Sequence, residues 1–174
     1  MANKDNPSGF VPYIGLGSKG KVELVYLPLL ATNTIIGKGD PLTLAAGGAN
    51  RAAASAALCG IAAEAKAASC GDATIAVWAD PNQLFVAQTD DGTGDTTAAT
   101  AVRKNVNFVA GNAVNGLSIA EIDEDTGNTT ATLPMKLIRL SDEVGNAYGE
   151  FNRMVVKINN HQFGSHTGTA GVDT

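Results

Sequence analysis

Long apolar runs are missing from this sequence. No stretch of about 18 apolar residues exists to span a bilayer as a helix, and the first residues lack the basic segment and apolar run that secretion requires. The expectation is a product made and kept in a cytoplasm, without a membrane partner. Basic side chains are scarce too. With 17 acidic against 12 basic residues the net charge is −5, and no stretch concentrates Lys or Arg, which argues against nucleic acid as a partner. Aromatic residues make up only 5% of the chain, so much of its 44% apolar content is alanine. A core of such small side chains gains from oligomeric contacts that bury further area.

Cysteine and histidine number two each. Cys59 and Cys70 read as buried free thiols, because a cytoplasmic product rarely keeps a structural disulfide. His161 and His166 lie on a Gly-, Ser- and Thr-rich tail, far in sequence from both cysteines, which is no zinc pattern. His161 could orient Ser141 or Ser165, yet nothing resembles a nucleophile elbow or a triad-bearing loop. Paired carboxylates occur only in stretches that read as exposed turns, where nothing would raise a pKa for acid catalysis. No catalytic residue, cofactor site or metal site is expected.

Two motifs call for trial. Gly15-Leu16-Gly17-Ser18-Lys19-Gly20-Lys21 satisfies both G-x-G-x-x-G and G-x-x-x-x-G-K, but each works only where the glycine loop feeds a helix N-terminus. Here it feeds a strand, and Val22 stands where Mg²⁺ needs Ser or Thr, so the stretch reads as a hinge. Asp90, Asp91 and Asp95 in DDGTGD, and Asp123, Glu124 and Asp125 in DEDTGN, place oxygen ligands around Gly turns. Neither completes a calcium loop with its bidentate Glu, so both read as solvated turns.

At 174 residues the simplest organisation is one domain. Residues 21–30 (KVELVYLPLL) are a strand whose far end lies at a sheet edge, given Pro28. Residues 32–48 give two short strands around Gly37–Pro41, with a further hairpin turn at Gly47-Gly48. Residues 73–89 alternate as two strands joined at Asp80-Pro81-Asn82 into a β-hairpin. Residues 90–105 are loop with one helical turn, and strands follow near 107–116, 116–123, 130–142 and 151–159. Segment 51–69, RAAASAALCGIAAEAKAAS, stays open: alanine favours a helix, whereas the lack of a stripe of large side chains favours strands. Many short strands between Gly, Asn and Asp turns predict an all-β barrel or sandwich.

The first thirteen residues, MANKDNPSGFVPY, are polar and carry two prolines, too little apolar surface to fold alone. The expected organisation is therefore an arm and hinge at 1–20, a β-rich body at 21–163 and a flexible tail at 164–174. Fully extended, twelve residues of arm reach about 40 Å, beyond the ~16 Å radius of gyration of such a body. Phe10, Val11, Pro12 and Tyr13 are the expected anchors onto an exposed sheet edge of a binding partner or of a neighbouring subunit. On this reading, deletion of residues 1–13 leaves the melting temperature nearly unchanged while sharply weakening attachment to the partner.

Taken in order, MANKDNPSGFVPY, the strand ending near Gly39-Asp40-Pro41, CGIAAEAKAAS, WADPNQLFVAQTD and VVKINNHQFG resemble the small virion structural proteins of tailed bacteriophages, encoded beside the major capsid protein. The resemblance spans nearly the whole chain and tips segment 51–69 towards strand. It implies a head decoration or cement protein: non-enzymatic, β-rich, located on the capsid exterior, bound to the major capsid protein lattice and homo-oligomeric. It carries over no active-site residues and makes the capsid a partner for the anchors Phe10, Val11, Pro12 and Tyr13. The rival class is a receptor- or carbohydrate-binding module on the virion, with calcium assistance a further variant. Trp78, Tyr148 and Phe163 are too scattered to make an aromatic platform for it.

Overall fold

The computed structural model describes residues 3–13, 22–90, 98–164 and 168–172. In chain order the elements are β1 (Val11–Pro12), β2 (Leu24–Pro28), β3 (Pro41–Ala45), β4 (Gly48–Arg51), β5 (Gly60–Ala62), β6 (Thr74–Trp78), β7 (Leu84–Gln88), α1 (Ala98–Ala101), β8 (Asn105–Val109), β9 (Glu121–Asn128), β10 (Met135–Leu140) and β11 (Arg153–Ile158). The fold is all-β, as the spacing of turns predicts. Its strands form two antiparallel sheets, one of six strands in the order β1-β7-β11-β10-β8-β9 and one of five in the order β2-β6-β5-β3-β4.

Two apolar clusters hold these sheets. The larger gathers Phe10, Phe85, Phe108, Ile122, Met135, Leu137, Met154, Val156 and Ile158 from the six-stranded sheet and its flanks, with Leu58 and Ile61 from the other side. The smaller gathers Leu27, Leu29, Ile36, Leu42, Cys59, Ala62, Ile75 and Val77. Neighbouring residues of one strand therefore serve different cores: in β5, Ile61 belongs to the larger cluster and Ala62 to the smaller. Strands covered on both faces do not alternate cleanly between polar and apolar, which is why β6 and β7 carry runs of buried residues.

Residues 73–89 form the expected strands but not the expected hairpin. β6 pairs with β2 and β5, while β7 pairs with β1 and β11 in the other sheet. The connection at Asp80-Pro81-Asn82 turns a corner instead. Gln83 N–H bonds Asp80 O at 3.0 Å and Asn82 N–H bonds the Asp80 carboxylate at 2.8 Å, so the turn closes on itself. Its five-residue span from Ala79 to Gln83 is longer than the two-residue turns that hold hairpin strands in register.

Segment 51–69 contains no helix. Past Arg51, the last residue of β4, only Gly60–Ala62 is strand, flanked by single bridges from Leu58 to His161 and from Ile36 to Lys66. Gly60 explains the choice: its φ is 150°, and a Cβ there would stand 2.5 Å from Trp78 O and 2.6 Å from Val77 Cγ1. Close approach of β5 to β6 overrides the helix propensity of the flanking alanines. Cys59 and Cys70 are free thiols; Cys59 is fully buried, and burial pushes its thiol up to about 12.

The acidic stretch at 123–128 is not a solvated turn. It is part of strand β9, registered against β8 with Asn107 opposite Asp123 and Phe108 opposite Ile122, and Glu124 is buried. The tail is also held where it is described. Thr169 N–H bonds Asn159 Oδ1 at 3.0 Å, Gly171 N–H bonds Thr129 O at 3.1 Å and Val172 N–H bonds Arg103 O at 3.1 Å. The glycine-rich stretch at 15–21, together with Asp91, Asp95, Ser165 and His166, lies outside the described residues.

Candidate functional site

The expected anchors of a free arm lie on the protein's own body. Phe10 is fully buried and meets Phe108 edge-on, with ring centroids 6.4 Å apart. Its backbone N–H bonds Gly39 O at 3.0 Å. Gly9 makes that docking possible: its φ is 66°, and a Cβ there would lie 2.8 Å from Gly39 O and closer still to Ser118 Cβ. The receiving turn is fixed in its own right, since the buried Asp40 carboxylate accepts the Gly37 N–H at 2.7 Å. The expectation that residues 1–13 contribute little to the core is therefore corrected. One aromatic side chain in a polar segment suffices to tie that segment down.

The remaining anchors follow Phe10 onto the sheet. Val11 stands opposite Val86 and Pro12 opposite Phe85, so β1 is an edge strand of the six-stranded sheet. Tyr13 N–H bonds Leu84 O at 2.8 Å. Its hydroxyl accepts from Arg139 Nη2 at 2.6 Å, and the guanidinium lies 5.4 Å from the tyrosine ring centre. Arg139 in turn pairs with Asp142 at 2.7 Å. Of the four, only Val11 stays substantially exposed, at 46%.

Upstream, a shared amide links the N-terminal segment to β9. Gln88 Nε2 donates to Asp5 Oδ1 at 3.1 Å and to Glu121 Oε1 at 3.0 Å, while its Oε1 accepts the Asn6 N–H at 3.0 Å. Burial, and then the charges of Asp5 and Asp90, push the Glu121 carboxyl up to about 7. Asp90 and Asp123 are raised as well, chiefly by burial. Raised carboxyl pKa values thus occur at Asp90 and Asp123, where exposed turns were expected, as well as at Glu121. For an acid whose folded pKa lies above its ordinary value, the stabilising contribution is complete below about 4.5 and lost as pH rises through about 7. Amide exchange at Asp5 and Asn6 is accordingly expected to be slower at pH 5 than at pH 8 after correction for intrinsic rates. Glu121→Gln should flatten that difference; an unchanged pH dependence would assign it to another group.

Among the described residues, no group of three or more His, Cys, Asp or Glu side chains is placed to hold a metal ion.

The most exposed apolar strand is β2, at one edge of the five-stranded sheet. Leu24, Val25 and Tyr26 are 47%, 41% and 67% exposed, and only Leu27 of the strand is buried. One side of β2 pairs fully with β6, from Leu24 opposite Trp78 to Pro28 opposite Thr74. Beyond the strand, the Leu29–Ala49 bridge and the bond from Leu30 N–H to Ala49 O reach β4. No described strand pairs with the outer side of Leu24–Leu27. Edge strands of soluble proteins are commonly blunted by charges or bulges. This one carries neither within Leu24–Pro28, only a proline at its far end. The sequence holds the signal, an uncharged LVYLP run ending at a proline, but apolar residues in a strand are read as core unless a partner for the other face is sought.

Comparison with protein-family models, with curated proteins and with solved structures finds no match.

Proposed function

We propose that this chain is a non-enzymatic virion structural protein that attaches to an assembled capsid shell and stabilises it, with contact made along the β2 edge. The carrying observation is the uncharged strand Leu24–Pro28, whose outer side has no described partner and whose Leu24, Val25 and Tyr26 stand open to solvent. A free edge supplies main-chain donors and acceptors for strand addition, and exposed side chains supply the choice of partner. Full pairing of β2 with β6 holds the attachment strand in place before binding, so that little ordering entropy opposes it. A protein that binds only the assembled shell stabilises it by mass action, and repetition of one weak contact over a symmetric lattice adds avidity. Homo-oligomerisation fits the small-residue composition.

The test is co-sedimentation with capsid shells. Tyr26→Lys changes an exposed side chain, so its effect on folding is expected to stay within about 0.5 kcal/mol. It should weaken shell binding at least about tenfold, as expected for an aromatic contact residue. Full retention by the variant would move the contact away from β2. Failure of the parent protein to bind shells at all would overturn the lattice function.

A further inference from the structure

Lys136 on β10 and Lys157 on β11 stand directly opposite each other in the antiparallel register. Both line a cleft of about 420 Å³, together with Pro81, Asn82, Asn159, His161 and Thr169. Like charges directly opposed across a strand pair are unfavourable. Neither lysine forms an ion pair with a carboxylate among the described residues. In a chain of net charge −5, two unpaired cations on one cleft wall are an arrangement that packing does not require.

The donors left over in the cleft can be counted. Lys136 Nζ reaches Thr169 Oγ1 at 3.1 Å and Ala170 O at 3.0 Å, and Lys157 Nζ reaches Asn82 Oδ1 at 3.0 Å. An ammonium has three N–H donors, so among the described residues one remains on Lys136 and two on Lys157. His161 is buried at 2% exposure, and its Nδ1 accepts the Phe163 N–H at 3.1 Å. That bond assigns the proton of the neutral ring to Nε2, which is buried and has no hydrogen-bond partner. Burial and the charge of Lys157 favour the neutral ring, against the opposing charge of Asp80. Asn159 is locked by Thr169, whose N–H and hydroxyl both donate to its Oδ1 at 3.0 Å. The cleft therefore combines two cations, spare donors and walls already fixed by their own bonds.

We propose that this cleft binds a small oxyanion of the phosphate class, held between Lys136 and Lys157. Lysine acts on phosphate as a point charge, whereas planar carboxylates are better matched by the fork of arginine. The volume suits a free phosphate or a small phosphomonoester. The negative net charge of the chain opposes an extended polyanion.

Titration of the full chain with inorganic phosphate, at ionic strength held constant with chloride, tests the site by calorimetry and by melting temperature. Saturable binding and a rising melting temperature are expected with phosphate and not with chloride. Lys136→Gln and Lys157→Gln should each weaken binding about ten- to a hundredfold, the range for one charge-assisted contact. Without phosphate, each variant should melt no lower than the parent, because the opposed charges are relieved. A structural role for the lysines would instead lower it. A parallel titration with a hexose phosphate separates the sources: tighter binding than inorganic phosphate assigns the outer cleft to an organic group, and equal or weaker binding assigns the site to the free ion. Absence of saturable phosphate binding, or binding that survives both substitutions, would overturn the proposal.

Discussion

Phe10→Ala is expected to destabilise the protein by about 3–5 kcal/mol, the range for removal of a fully buried aromatic side chain. For a chain of this size that corresponds to a fall in melting temperature of roughly 10 °C. The argument rests on complete burial against Phe108 and on the bond from Phe10 N–H to Gly39 O, which fix ring and backbone together. Conservative replacement by Leu keeps most of the apolar volume and should recover a large part of the loss. Thermal or urea unfolding of the three proteins measures it. A variant that melts with the parent would mean that the N-terminal segment leaves the core in solution. The same burial makes deletion of residues 1–13 unsuitable as a probe of attachment, since a truncated protein would fail to bind because it is unstable.

A second large effect is expected at Gly60. Alanine there would place its Cβ against the Trp78 carbonyl, at a φ of 150° that side chains rarely adopt. Backbone strain and overpacking each cost about 1–3 kcal/mol, so Gly60→Ala should lose about 3 kcal/mol. Gly71→Ala, at a φ of 76° with nothing within 4 Å of the added Cβ, serves as the control for backbone strain without overpacking. Urea midpoints of both variants decide between the two accounts. If Gly60→Ala were neutral, the contact between β5 and β6 would be looser than the close approach at Trp78 requires.

The sequence made the all-β class, the edge character of the strand around Pro28, the turn at Gly47-Gly48 and the free thiols legible, because each follows from local chemistry. Pairing was harder. Nothing within residues 73–89 says that β6 and β7 belong to different sheets; that follows from β2, β5 and β11 competing for their edges. Asp123–Asn128 carries turn-forming residues, yet pairing with β8 draws it into a strand. At the candidate sites the loss has one cause, long sequence separation. Phe10 finds Gly39 and Phe108, and Asp5 shares Gln88 with Glu121, only once segments far apart in the chain lie side by side.

The place of β11 has a consequence for synthesis. It is the last strand among the described residues, yet it lies inside the six-stranded sheet between β7 and β10. A chain emerging from the ribosome in order presents β7 before β11, the strand that joins it to β10, has been synthesised. Until residue 158 has cleared the exit tunnel, both strands carry an open edge, and Met135, Leu137 and Phe85 have no Met154, Val156 or Ile158 to pack against. Nascent chains are then competent to pair with each other rather than with themselves. Translation products of this protein that stop short of β11 would accordingly enter aggregates, and the yield of folded protein would depend on how quickly β11 follows the strands it joins.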